Sequence, residues 1–163
     1  MVDNFDKLKA KAAGRKKQFM SVVEKINKMK GHDVDRLFHK LHVKEFRETD
    51  CTDCANCCKS LGPRLTNKDV DKLSAFLKVR TSDFFDKYVS VDEDNDLVFK
   101  SMPCPFLRED NYCTVYTSRP RACRDYPHTD RKNINGIIKT CLRNTECCPV
   151  VYNIFEKLCN GRT

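Results

Sequence analysis

Glycine and proline are scarce in this sequence, five and six among 163 residues, which excludes a linker-rich, collagenous or low-complexity chain. No run of about 18 apolar residues occurs, the length a helix needs to span a bilayer, so no membrane partner is expected. No repeat of solenoid period is present. The opening residues, Met1-Val2-Asp3-Asn4-Phe5-Asp6-Lys7, mix charges and lack both an apolar h-region and a cleavage site. The expected location is therefore the cytosol. Missing too are a dinucleotide fingerprint, a Walker loop and a Cys-x3-Cys-x2-Cys radical motif, and no catalytic residue can be named. What is present, 40% hydrophobic and 33% charged residues, suits a folded and well-solvated protein.

The one residue type in excess is cysteine. There are eleven, an odd number that leaves a thiol over in any all-disulfide scheme. Cytosolic thiols are kept reduced, so a disulfide framework is disfavoured and metal ligation is favoured. Four of the eleven fall within eight residues, Cys51-Thr-Asp-Cys54-Ala-Asn-Cys57-Cys58. Two residues between thiols let a tight turn aim both sulfurs at one ion. Adjacent residues usually point apart, so Cys57 and Cys58 can serve different ions or different sides of one centre.

A second group follows about fifty residues later. Cys104 lies between prolines, Cys113 in Tyr112-Cys113-Thr114-Val115-Tyr116, and Cys123 in Arg119-Pro120-Arg121-Ala122-Cys123-Arg124-Asp125-Tyr126-Pro127. These are turn-rich stretches where loops can converge on a metal. A third group holds Cys141, Cys147, Cys148 and Cys159, and Cys148-Pro149 repeats the Cys-Pro pairing of Cys104. For Cys141, Cys147 and Cys159 the favoured reading is that free cysteines fill the core as small hydrophobes.

Taken in order, Cys51-x2-Cys54-x2-Cys57-Cys58, Cys104-Pro-Phe-Leu, Cys113-Thr-Val-Tyr, Arg119-Pro-x-x-Cys123-Arg-x-Tyr-Pro and Cys148-Pro resemble the YkgJ-type cysteine-cluster family. That family is a zinc- or iron-chelating domain with a CxxCxxCC signature. The resemblance covers roughly residues 46–158 and implies eight metal ligands: Cys51, Cys54, Cys57, Cys58, Cys104, Cys113, Cys123 and Cys148. The same signature occurs in a flagellin lysine methylase, which makes an iron–sulfur cluster the alternative cofactor. All-thiolate tetrahedral sites suit zinc and iron alike; zinc is the favoured ion. Arg119, Arg121 and Arg124 stand beside Cys123, where guanidinium groups can offset thiolate charge, although a solvated basic turn accounts equally for Arg121.

The scaffold expected around these loops is mainly α with a small β-hairpin, its cysteine-rich loops pinned by metal. Phe5, Leu8, Ala12, Phe19, Val22, Ile26 and Met29 recur at three- and four-residue steps, with Arg15 at the missing step. They predict one helix stopped by Gly31. A second helix is expected over 34–46, a third behind the capping box Thr66-Asn67-Lys68-Asp69, and a short fourth capped by Thr81-Ser82-Asp83. Residues 89–100 read as a hairpin around an acidic turn, which lacks the glycine and terminal glutamate of a calcium loop. Further helices are expected over 133–143 and 149–158. The predicted domains are a basic helical arm, 1–48, and a cysteine-cluster domain, 49–159.

Residues 1–48 hold 13 Lys or Arg against 7 Asp or Glu, giving most of the chain's net charge of +8. A basic arm can meet phosphate backbones, yet no aromatic platform is interleaved with it for base stacking, so nucleic acid is not the expected partner. The stripe can pack on the body or on a second copy. His39 and His42, three apart on a helix, and His128 near Cys123 are weaker candidates than the thiols. The functional reading is a zinc- or iron-binding protein, structural or metal-handling. The alternatives are an iron–sulfur protein for electron transfer or cluster-dependent chemistry and, further off, a nucleic-acid-binding module.

Overall fold

The computed structural model describes residues 5–161. In chain order it contains α1 (Phe5–Gly14), α2 (Lys16–Ile26), α3 (Gly31–Glu48), α4 (Asn56–Ser60), α5 (Asn67–Leu77), α6 (Thr81–Tyr88), β1 (Val89–Val91), β2 (Leu97–Phe99), α7 (Arg121–Asp125), α8 (Ile138–Asn144) and α9 (Pro149–Cys159). Single 3-10 turns cover Cys51–Asp53, Tyr116–Ser118 and Ile134–Ile137. The fold is therefore mainly helical with one two-stranded hairpin, as the sequence predicts. The chain divides into two compact units, one formed by 1–56 with 127–163 and the other by Cys57–Tyr126.

The first unit is helical. Phe19, Val22, Val23 and Ile26 of α2 share a buried core with Val34, Phe38 and Leu41 of α3, Ile138 and Cys141 of α8, and Val150, Val151, Ile154 and Phe155 of α9. The apolar stripe of residues 1–48 thus packs within its own chain. Each such side chain contributes about 1.5–3 kcal/mol on burial, and Phe19 adds a near-perpendicular ring contact to Tyr152 at 5.5 Å.

One helix over 5–29 is not what forms. It breaks at Arg15, behind Gly14, a weak helix former. Arg15 turns its guanidinium to Glu156 on α9, with Nε donating at 2.5 Å, so the missing apolar step is filled by an ion pair. Helix α2 ends at Ile26, leaving Met29 exposed beyond it. Gly31 opens α3 rather than closing the preceding helix. The helix expected from 133 begins at Ile138, because Asp35 accepts the amide hydrogens of Asn133 and Ile134 at 2.9 Å each and holds a 3-10 turn there.

The second unit is smaller and aromatic. Leu65, Val70, Leu73, Phe84, Val89, Phe99, Phe106 and Val115 form its buried core. Strands β1 and β2 pair antiparallel, with Val89 opposite Phe99 and Val91 opposite Leu97. The capping box is present: Thr66 Oγ1 accepts from the Asp69 amide at 3.2 Å, and the Asp69 carboxylate accepts from the Thr66 amide at 2.9 Å. Thr81, by contrast, is the first residue of α6 and not its cap. Arg80 holds the N-cap position, and its guanidinium takes the Asp83 carboxylate at 2.8 and 2.9 Å.

Candidate metal centre

In the first unit the Cys51-x2-Cys54 step is a tight turn. Asp50 starts it by accepting from the amide and hydroxyl of Thr52 at 2.8 and 2.7 Å. The Cys51 carbonyl then accepts from the amides of Cys54 at 3.4 Å and Ala55 at 2.9 Å. Ala55 completes the reversal with a left-handed backbone, φ 49°, uncommon for a residue with a β-carbon. Cys148 is the N-cap of α9, with Pro149 in the first turn. Its sulfur receives the amides of Val150 and Val151, the donors that a helix N-terminus leaves unpaired. Burial still pushes the thiol up to about 12, and the charges of Cys51 and Cys147 add to that rise.

The second unit gathers more thiols. Cys57 and Cys58 lie on α4 with their sulfurs 3.9 Å apart; two sulfurs of a tetrahedral zinc site stand about 3.8 Å apart, given metal–sulfur bonds of about 2.3 Å. The Cys104 amide donates to the Cys58 carbonyl at 2.8 Å. The Cys104 sulfur accepts from the amides of Phe106 and Leu107, and the Cys113 sulfur from the amide of Val115. A bridge between Leu107 and Cys113 closes this loop, and Phe106 anchors it, its ring meeting those of Tyr88 and Phe99 at 5.0 and 5.4 Å. Cys123 is brought in on α7.

Charge ties four of these thiols, Cys58, Cys104, Cys113 and Cys123, into one group. The Cys58 thiol is lowered to about 7 by its hydrogen bond with Cys57, with burial opposing and Arg119 and Lys59 assisting. Burial raises Cys104 to about 11, with Cys58 and Cys113 adding to it. Burial also raises Cys123 to about 12, with Cys58, Cys104 and Cys113 adding to it. Negative charge at Cys58 disfavours ionisation of Cys104, Cys113 and Cys123. A cation that neutralises the group reverses this penalty.

Of the three flanking arginines, Arg119 acts on the thiols. Its charge favours the thiolates of Cys58, Cys113 and Cys123, while its guanidinium stacks 3.5 Å from the centre of the Tyr116 ring. Arg121 pairs with Asp125 at 3.3 Å, and Arg124 donates to the Arg119 carbonyl at 3.4 Å. Amide-supported sulfurs and a fixed counter-cation fit zinc or thiolate-bound iron. The ligand spacing is not preformed: among the described residues no three Cys, His, Asp or Glu side chains stand close enough to share an ion.

The other candidates have separate roles. His39 Nδ1 lies 2.7 Å from Asp130, and His42 Nδ1 lies 2.9 Å from the Thr129 hydroxyl. The Asp92 carboxylate accepts the amides of Asp94 and Asp96 within its own turn at 3.0 and 2.9 Å. Cys141 is fully buried in the first core, with its sulfur 3.9 Å from the His128 carbonyl. Cys159 packs half-buried against the same core.

A family model matches residues 50–149, more than half of the chain: CxxCxxCC, described as a putative zinc- or iron-chelating domain. The chain belongs to the CxxCxxCC family. No curated protein and no solved structure matches it. The family match spans all eight cysteines named from the sequence and stops short of Cys159. Within this CxxCxxCC protein the structure adds two features that spacing does not reveal. Cys147 is buried beside the half-exposed Cys148, and the Asp69 carboxylate reaches the first amide of the helix that carries Cys123, at 2.9 Å.

Proposed function

We propose that this CxxCxxCC protein holds zinc, or iron in thiolate coordination, through Cys58, Cys104, Cys113 and Cys123 in its second unit. Cys57 in the same unit, and Cys51, Cys54 and Cys148 in the first unit, are the further ligands that the family pattern names, and the role of the metal is structural or metal-handling. The observation that carries this reading is the CxxCxxCC match over every proposed ligand, and the geometry supports it: the Cys57 and Cys58 sulfurs stand 3.9 Å apart and the Cys104 amide donates to the Cys58 carbonyl at 2.8 Å. Bound metal supplies a fixed positive charge and four directional bonds. The chain supplies soft sulfurs, amides that orient them and the Arg119 guanidinium. Eleven free cysteines suit a reducing compartment, the cytosol.

The test is elemental analysis of protein purified without oxygen and without added metal, with an absorption spectrum of the same sample. Zinc without colour is the expected result. Iron with broad absorption near about 400 nm moves the reading to an iron–sulfur cluster and electron transfer. Folded protein free of both metals overturns it. In zinc-loaded protein, Cys58→Ser, Cys104→Ser and Cys123→Ser each lower the metal content, whereas equal retention in all three refutes the assignment.

A further inference from the structure

Asp69 is almost fully buried, 6% exposed, and lies in the first turn of α5, away from every cysteine in sequence. One oxygen, Oδ2, is taken by Thr66, whose amide and hydroxyl donate at 2.9 and 2.7 Å. The other, Oδ1, accepts from the amide of Arg121 at 2.9 Å. A capping box needs only the first of these oxygens. The second leaves the box and reaches across 52 positions of sequence to the first residue of α7, two before Cys123. The same helix makes another tie nearby, as Lys72 Nζ donates to the Thr117 carbonyl at 3.3 Å.

Helix α7 has five residues, too few to hold its own direction, since helices shorter than about 12 residues are marginal alone. Its orientation must come from outside, and a buried carboxylate that accepts its leading amide is a strong, charge-assisted anchor. We infer that Asp69 is a positioning residue for the metal centre, fixing α7 so that the Cys123 sulfur is presented with those of Cys58, Cys104 and Cys113. This rests on the metal reading above. Groups that orient ligands commonly matter about 10- to 100-fold in metal affinity.

The backbone bond can be removed without touching Asp69. Arg121 occupies the first helical position of α7, where proline is well tolerated. Pro120 before it already has an extended ψ of 152°, the conformation a following proline requires. Arg121→Pro therefore deletes the donor, and Arg121→Ala is its control for the lost side chain. Asp69→Asn removes the charge from the acceptor. Thr66→Ala weakens the α5 cap while leaving the bond from Arg121 to Asp69 in place, which separates general helix stability from positioning.

The measurement is competition with a chelator for zinc in the full-length chain. Alongside it runs the sulfur-to-metal absorption of the cobalt-loaded chain, which reports the number of thiolate ligands. Arg121→Pro and Asp69→Asn are expected to weaken zinc binding about tenfold or more and to lose sulfur-to-cobalt intensity. Arg121→Ala and Thr66→Ala should stay within about threefold with intact spectra, even where Thr66→Ala lowers the melting temperature. Wild-type uptake with four indistinguishable variants overturns the positioning role alone. A wild-type chain that takes up no zinc, iron or cobalt overturns the metal reading, and this inference with it.

Discussion

The two units of this chain solve the same problem of closure with different materials. The apolar core of the first joins fourteen residues from five segments around α2, α3 and α9, and its cysteines are either core fillers or sit at turns and helix ends. The apolar core of the second has eight residues, and its stretch from Ser101 to Tyr126 has only a bridge, one 3-10 turn and the five-residue α7 for regular structure. Buried apolar area supplies most folding energy, so the first unit has the means to stand without metal. In the second, Cys104 and Cys113 pack half-buried against the smaller core. The contrast marks residues 101–126 as the stretch whose order should depend most on the proposed metal, and the core of α2, α3 and α9 as the part that should depend on it least.

Removing the metal is the most severe way to test that contrast. Chelation should abolish slow amide exchange across residues 101–126, a loss on the order of ten kcal/mol for a structural zinc site, while exchange in α2, α3 and α9 stays slow. Simultaneous loss of protection in both units would break the comparison. Core truncation sharpens it at smaller scale. Phe106→Ala and Phe155→Ala should each cost about 3–5 kcal/mol, read from denaturant unfolding. Only Phe106→Ala should also weaken zinc binding, because the Phe106 ring, held against Tyr88 and Phe99, anchors the loop whose amides serve the Cys104 sulfur. Equal metal affinity in the two variants would mean that the aromatic core does not set the cysteine loop.

Acid distinguishes the units more gently. Burial holds His42, on α3, below its ordinary value of 6.5, with Asp130 opposing and His39 assisting. The unfolded chain then takes up a proton that the folded first unit resists, so stability falls as pH drops below 6.5 towards the lowered value. His42→Gln should flatten that slope in the amide exchange of α3; an unchanged slope would assign it to another group. Asp69 in the second unit acts in the same direction but in a lower pH window. Burial pushes its carboxyl up, but the donors from Thr66 and Arg121 and the charge of Arg124 outweigh it and hold it below 3.8. Its contribution is complete above 3.8 and is lost only as pH falls through the lowered value, so Asp69→Asn should leave the slope near pH 6 untouched.

Much of the scaffold was legible because its causes are local. The period of Val34, Phe38 and Leu41 announces α3, and Thr66 with Asp69 announces the start of α5. The acidic turn marks the hairpin, since Asp92 caps its own loop. What was hidden depends on partners remote in sequence. The break at Arg15 answers to Glu156, and the delayed start of α8 answers to Asp35. At Thr81 a cap-like sequence misleads because Arg80 captures the Asp83 carboxylate first. The thiols follow the same rule. Their spacing and family pattern name the candidate ligands, but the electrostatic grouping of Cys58 with Cys104, Cys113 and Cys123 depends on a loop closure that no local signal encodes.

The smallest expected effect concerns a cysteine that lies on the wrong side of that distinction. Cys159 ends α9, half-buried against the first core and outside residues 50–149 of the family match. Burial raises its thiol and Arg15 opposes that rise, with Glu156 nearby; its surroundings are the Arg15–Glu156 pair rather than the thiol group of the second unit. Cys159→Ser should change stability by under about 1 kcal/mol, as expected for a partly exposed site, and leave metal content unaltered. Cys141→Ser is the informative companion, because a hydroxyl in that fully buried position costs about 1–3 kcal/mol without a good partner, again with no loss of metal. If Cys159→Ser instead lowered metal content as Cys123→Ser is expected to, the ligand set would extend past residues 50–149 to the end of α9, and the reading of Cys159 as a core filler would not hold.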